Sequence, residues 1–218
     1  MTEPVLARLT TLFEADRDPD RATAMRAYMR DQFDFLGIMS PRQRALARQA
    51  TAGAAKPGRD DLLALADACW ERPEREYQYF ACDYLRRHVA VLGPDALPAV
   101  RRLITTKPWW DTVDVLAARV VGPLVRGHGA VMDTWIEDDD LWVIRTALLH
   151  QLFYKGDTDA ERLFDYCVRQ KAHTDFFVRK AIGWALREYA KTDPEAVRGF
   201  VAATPLSGLS RREALKNL

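Results

Sequence analysis

The sequence predicts an all-α chain, an α-solenoid of HEAT-like helical repeats curved around a concave face. Three observations carry that expectation. Leu, Ala and Arg dominate while β-branched runs stay short, Pro or Gly punctuates the text every ten to twenty residues, and the stretches between them keep helical spacing. Trp110, Trp142 and Trp184 are separated by 32 and 42 residues, gaps that bracket the period of HEAT-like repeats. With 218 residues and 48% apolar content, the chain can bury a core of its own, and a single domain over residues 1–218 is expected.

Each element follows in order. "RATAMRAYMRDQF" places Ala24, Ala27, Tyr28 and Asp31 at helical spacing. "GIMSPRQRALARQA" offers Ser40 as N-cap with Pro41 in the first turn, and "GPDALPAVRRLI" starts another helix after Gly93. Trp109 to Val121 reads as one helix that puts Trp110, Asp114, Ala118 and Val121 on one face. "WERPEREYQYFACDYLRRH", "LWVIRTALLHQLFYK" and "TDFFVRKAIGWALREYAK" each have the look of the inner helix of a pair.

Composition narrows the function. Lys+Arg is 32 against Asp+Glu 31, a formal charge of +1, so a polyanion partner must meet a local basic face. Cys69, Cys82 and Cys167 are widely spaced, without a CxxC pair, and read as reduced core thiols. The N-terminus lacks the basic start and apolar run of a signal peptide, and nowhere do eighteen apolar residues follow one another. A cytoplasmic protein with no membrane partner is expected. His88, His128, His150 and His173 are isolated from ligand partners, and no GxxxxGK[ST] or GxGxxG loop is present, so neither a metal nor a nucleotide cofactor is expected.

Four places break local rules. Asp114 stands among valines, leucines and alanines, although Asp is a poor helix-interior residue and costly to bury alone. It either caps or pairs with a neighbouring helix or belongs to a site. Arg145 falls in register with Leu141, Leu148 and Leu152, which makes it a snorkelling side chain, a partner for Asp114 or a ligand contact. Trp184 follows Gly183 and aligns with Lys180 and Arg187, and Tyr28 is a further aromatic. Asp111, in the first turn after Pro108, suits the helix dipole and is assigned to structure. Inner helices of a solenoid would gather Tyr28, Trp110, Asp114, Arg145 and Trp184 at one groove.

These residues resemble those of the AlkD-type DNA alkylation-repair glycosylases. The similarity runs from "YMRDQFDFLGI" through "KPWWDTVD" to "IRTALLHQLFYK" and "FFVRKAIGWALREYAKTDP". The resemblance implies a monofunctional glycosylase that releases N3- and N7-alkylated purines from duplex DNA without a cofactor. It implies Asp114 as the catalytic carboxylate, with Trp110 and Trp184 beside it, and DNA contacts from Tyr28 and Arg145. It also implies an open groove that leaves the base largely stacked, and a concave face that binds the duplex as a monomer, at the nucleoid.

The chemistry is consistent with one carboxylate. An alkylated purine is cationic and leaves without an acid, so a fixed Asp near the sugar suffices to stabilise the oxocarbenium ion. Basic residues recur on the inner helices: Arg42, Arg44, Arg48, Arg86, Arg87, Arg179, Lys180, Arg187, Arg211 and Arg212. Of these Arg179, Lys180 and Arg187 lie beside the proposed site and are expected to bind DNA. The alternatives are a non-catalytic module that binds distorted or branched DNA, and a helical scaffold for another protein.

Overall fold

The computed structural model describes residues 2–218, and among them it is a helical-repeat fold without a strand. Among the described residues the extended pairing is an isolated bridge between Asp34 and Glu74. Contacts divide the chain into two compact units, Met1–Leu92 and Gly93–Leu218.

The first unit holds α1 (Thr2–Ala15), α2 (Pro19–Tyr28), α3 (Ser40–Thr51), α4 (Arg59–Glu71) and α5 (Arg75–Arg87). Val5, Leu9 and Phe13 on α1 are buried with Leu46 and Ala50 on α3, Leu62 and Leu65 on α4, and Tyr77 and Leu85 on α5. Asp18 caps α2 by accepting the Arg21 N–H, and Pro19 fits the first turn because it has no N–H to orphan there. Helix α2 stops at Tyr28, since Arg30 and Asp31 take left-handed backbone, so Asp31 is not on the helix that the spacing predicted. Ser40 is the first residue of α3 rather than its cap; Met39 holds the cap position and gives no side-chain bond.

The link from α2 to α3 is tied down by Glu76. Its carboxylate accepts the N–H groups of Leu36 at 3.0 Å, Gly37 at 2.8 Å and Ile38 at 3.1 Å. Gly37 has φ +90°, and a Cβ there would lie 2.1 Å from the Asp18 carbonyl oxygen, so only glycine fits. Burial pushes the Glu76 carboxyl up, and the three backbone N–H bonds pull against it.

The second unit contains α6 (Leu97–Thr105), α7 (Trp110–Leu116), a π-helical turn (Ala117–Val121), α8 (Gly122–Val125), α9 (Ala130–Trp135), α10 (Leu141–Leu149), α11 (Ala160–Arg169), α12 (Phe176–Tyr189), α13 (Pro194–Ala203) and α14 (Gly208–Ala214). Helix α10 is buried from Trp142 to Leu149, which makes it the central helix of this unit. It packs against α6, α7, α9, α11 and α12, and α12 packs in turn on α14.

The helix predicted from Trp109 to Val121 is not regular. Trp109 is extended and precedes α7, and the ladder widens to π spacing after Leu116. Pro123 explains the widening: it gives no N–H and its ring crowds the carbonyl one turn back. Gly122 then passes so close to α10 that a Cβ would lie 2.3 Å from the His150 carbonyl oxygen.

His150 is buried, with Nδ1 2.6 Å from the Ala147 oxygen, and burial pushes its imidazole down to about 4. A depressed histidine contributes stability that is present above its unfolded value and lost as pH falls toward the folded one. We therefore expect about 3 kcal/mol of stability to disappear between roughly pH 6.5 and 4, from a shift worth about 1.4 kcal/mol per unit. Chemical denaturation of His150→Gln across that range should give a flatter curve than wild type; a curve of equal slope would refute the assignment.

Candidate functional site

The two tryptophans of "WWD" part company. Trp109 packs into an aromatic cluster, its ring 5.8 Å from Trp142 and 5.0 Å from Phe177, with Trp142 and Phe177 4.9 Å apart. Trp110 begins α7 and faces a cleft of about 220 Å³ instead. The cleft is lined by Trp110, Arg145, Phe176, Phe177, Lys180, Trp184, Arg187 and Glu213, so three helices, α7, α10 and α12, and the C-terminal α14 build it.

Behind that wall Asp114 and Arg145 form a bidentate ion pair. Arg145 Nε donates to Asp114 Oδ1 at 2.7 Å and Nη2 donates to Oδ2 at 2.9 Å, while Nη1 donates to the Phe177 carbonyl. The Arg145 and Asp114 side chains keep only 6% and 13% of their surface exposed. Burial pushes the Asp114 carboxyl above its ordinary value, and the Arg145 hydrogen bonds and charge oppose that. The two-pronged geometry is that of an ionised pair. Asp114 is not among the residues that line the cleft; it reaches the surface only through its small exposed fraction.

Helix α12 supplies the opposite wall. Asp175 caps it by accepting the N–H groups of Phe177 and Val178, which fixes the helix start and sets Phe176 at the rim, half-exposed. Lys180, Trp184 and Arg187 follow at spacings of four and three, so they share one face. Gly183 lies on the side turned to α14, where a Cβ would be 2.4 Å from Glu213 Cβ and 2.7 Å from the Ser210 oxygen. That close approach brings Glu213 between two cations, 2.7 Å from Lys180 Nζ and 2.7 Å from Arg187 Nη1. The Lys180 hydrogen bond above all holds the Glu213 carboxyl below its ordinary value.

The second unit thus brings together Trp110, Asp114, Arg145, Lys180, Trp184 and Arg187. Arg179 is not with them: its Nε donates to the His173 carbonyl at 2.7 Å. Tyr28 belongs to the first unit, where it ends α2 with 74% of its surface exposed. Among the basic residues farther along the chain, Arg42 pairs with Asp16, Arg86 and Arg87 share Asp83, and Arg211 donates to the Val201 carbonyl. Phe176, Phe177 and Glu213 were missed by sequence reasoning. The doubled Phe after a capping Asp was a usable signal, whereas "SRREALKNL" reads as an ordinary exposed helix. Among the described residues, no group of three or more His, Cys, Asp or Glu could hold a metal ion, and no helix is long and apolar enough to cross a membrane.

Fold and cleft together define a helical-repeat protein with a buried Asp–Arg pair behind an aromatic and cationic wall. The chain belongs to the DNA alkylation repair enzyme family, whose model matches residues 9–218. A solved structure described as a predicted DNA alkylation repair enzyme from Enterococcus faecalis superposes with a TM-score of 0.85 at 32% identity, covering 93% of this chain and 97% of that one. Among curated proteins no match is found. Family membership gives the chain a role in alkylation repair, with DNA as its partner.

Proposed function

We propose that the chain is a monofunctional DNA glycosylase that hydrolyses the N-glycosidic bond of N3- and N7-alkylated purines in duplex DNA. The observation that supports this best is the buried Asp114, held in a two-pronged pair by Arg145, which itself lines one cleft with Trp110 and Trp184. An alkylated purine departs with the electron pair of its bond to C1′ and becomes neutral. The deoxyribose takes up the positive charge, and water adds to C1′ and gives its proton to Asp114 or to solvent. The products are the free base and an uncut abasic site.

In this reading Asp114 stabilises the oxocarbenium ion, and Trp110 and Trp184 pack against the sugar and offer π-faces to positive charge. Arg145 acts through Asp114, whose two oxygens it orients, more than as a phosphate contact. Lys180 and Arg187 meet the backbone, and Tyr28 adds a contact from the first unit. Neither metal nor nucleotide takes part, and the chain works as a cytoplasmic monomer at the nucleoid.

One feature favours a second reading, a non-catalytic module for distorted DNA: both Asp114 oxygens are engaged by Arg145 and the carboxylate does not line the cleft. The test separates the two. Release of N7-methylguanine from an alkylated duplex is measured for wild type and Asp114→Asn, with binding of both to that duplex. We expect wild type to release base and the variant to bind as well but react at least about a hundredfold more slowly, the usual loss of one electrostatic stabiliser. Binding without release by either chain would install the non-catalytic reading.

A further inference from the structure

A carboxylate in a cleft that receives a polyanion needs a reason. Glu213 lines the same cleft as Trp110 and Trp184 and is only 18% exposed, so it is built into the wall. Its seat depends on Gly183, because any side chain there would push α14 away from α12. Three cations, Arg145, Lys180 and Arg187, stand at this site against two carboxylates, Asp114 and Glu213, a balance of one positive charge. Lys180 and Arg187 each keep further N–H donors for a phosphate oxygen while Glu213 holds them.

We propose that Glu213 is a specificity-determining residue that keeps the cleft at this balance. The cleft then attracts one phosphodiester without repelling the cationic nucleoside beside it. Without Glu213 the surplus of positive charge draws ordinary duplex more strongly and raises the energy of a cationic transition state. The second consequence rests on the glycosylase reading; the first requires only that the cleft binds DNA.

The experiment compares wild type, Glu213→Gln and the double variant Glu213→Gln/Lys180→Gln, which restores the original charge. Binding of an undamaged duplex is measured across a salt series, together with single-turnover release of N7-methylguanine. Glu213→Gln should bind undamaged duplex more tightly at low salt, with a slope of log affinity against log salt steeper by about 0.9, the effect of one more neutralised phosphate. It should release the cationic base roughly tenfold more slowly. The double variant should return to the wild-type slope.

An unchanged or shallower slope for Glu213→Gln overturns the proposal, as does a double variant that departs from wild type as far as the single one. A Glu213→Gln chain that does not fold marks the residue as structural and overturns it too. Wild type that binds duplex but releases no base sinks the glycosylase reading alone, and the salt slopes still decide Glu213. Absence of duplex binding by every chain overturns both.

Discussion

Glu76→Ala lowers the unfolding free energy by about 3–5 kcal/mol, whereas Glu76→Gln costs only a fraction of that. The Ala variant leaves the N–H groups of Leu36, Gly37 and Ile38 without their acceptor in a fully buried place. Each orphaned group costs roughly 1–3 kcal/mol, less what a water recovers. In the Gln variant one oxygen remains to accept from Gly37 and Ile38, while the amide nitrogen, itself a donor, faces the Leu36 N–H and leaves that one group without an acceptor. Charge is not what holds the loop. Burial raises the Glu76 carboxyl, so its contribution to stability is present below its unfolded value and lost as pH rises through the folded one. Glu76 therefore does not drive acid unfolding, and the gap between Ala and Gln should persist at low pH. Chemical denaturation of both variants checks this, and equal costs for Ala and Gln would show that the acceptor bonds are not what matters. The segment at stake joins Tyr28 to α3, so the Ala variant should also disturb any DNA contact that Tyr28 makes.

The fold was legible because helix text is local. Punctuation by Pro and Gly and apolar spacing placed α5, α6, α10 and α12 without knowledge of their neighbours. What failed was also local but subtler. Two consecutive left-handed residues, Arg30 and Asp31, end α2 where periodicity ran on, and Pro123 widened a ladder that spacing alone drew as regular. The site was legible where a residue violated its surroundings: a carboxylate among valines and a guanidinium in a leucine stripe drew attention to Asp114 and Arg145. Glu213 violates nothing in its own stretch. Its meaning arises only from a neighbour on α12, 33 residues earlier, and from the missing side chain of Gly183. Arg179, adjacent to Lys180 in sequence, does not line the cleft and turns its Nε to the His173 carbonyl instead.

Arg145→Met should destabilise the chain by about 3–5 kcal/mol near neutral pH, the cost of leaving a buried charge without its partner. The substitution removes two donors to Asp114 and one to the Phe177 carbonyl. Burial, with the Asp111 charge added to it, then acts unopposed by Arg145 on the Asp114 carboxyl, which rises further above its ordinary value. A carboxyl raised in the folded state contributes stability that is present below its unfolded value and lost as pH rises through the folded one. The deficit of Arg145→Met should accordingly shrink on acidification, as Asp114 takes up a proton and no longer needs a cation. A deficit that stays constant on acidification would mean that Asp114 is not held as a buried charge. Replacing both partners, Asp114→Leu/Arg145→Met, should recover most of the lost stability, since a buried pair is often no better than an apolar pair of similar size. Base release should stay abolished in that double variant. Stability regained without activity would locate the reason for an aspartate among valines in chemistry rather than in folding, because an apolar pair would serve the fold as well.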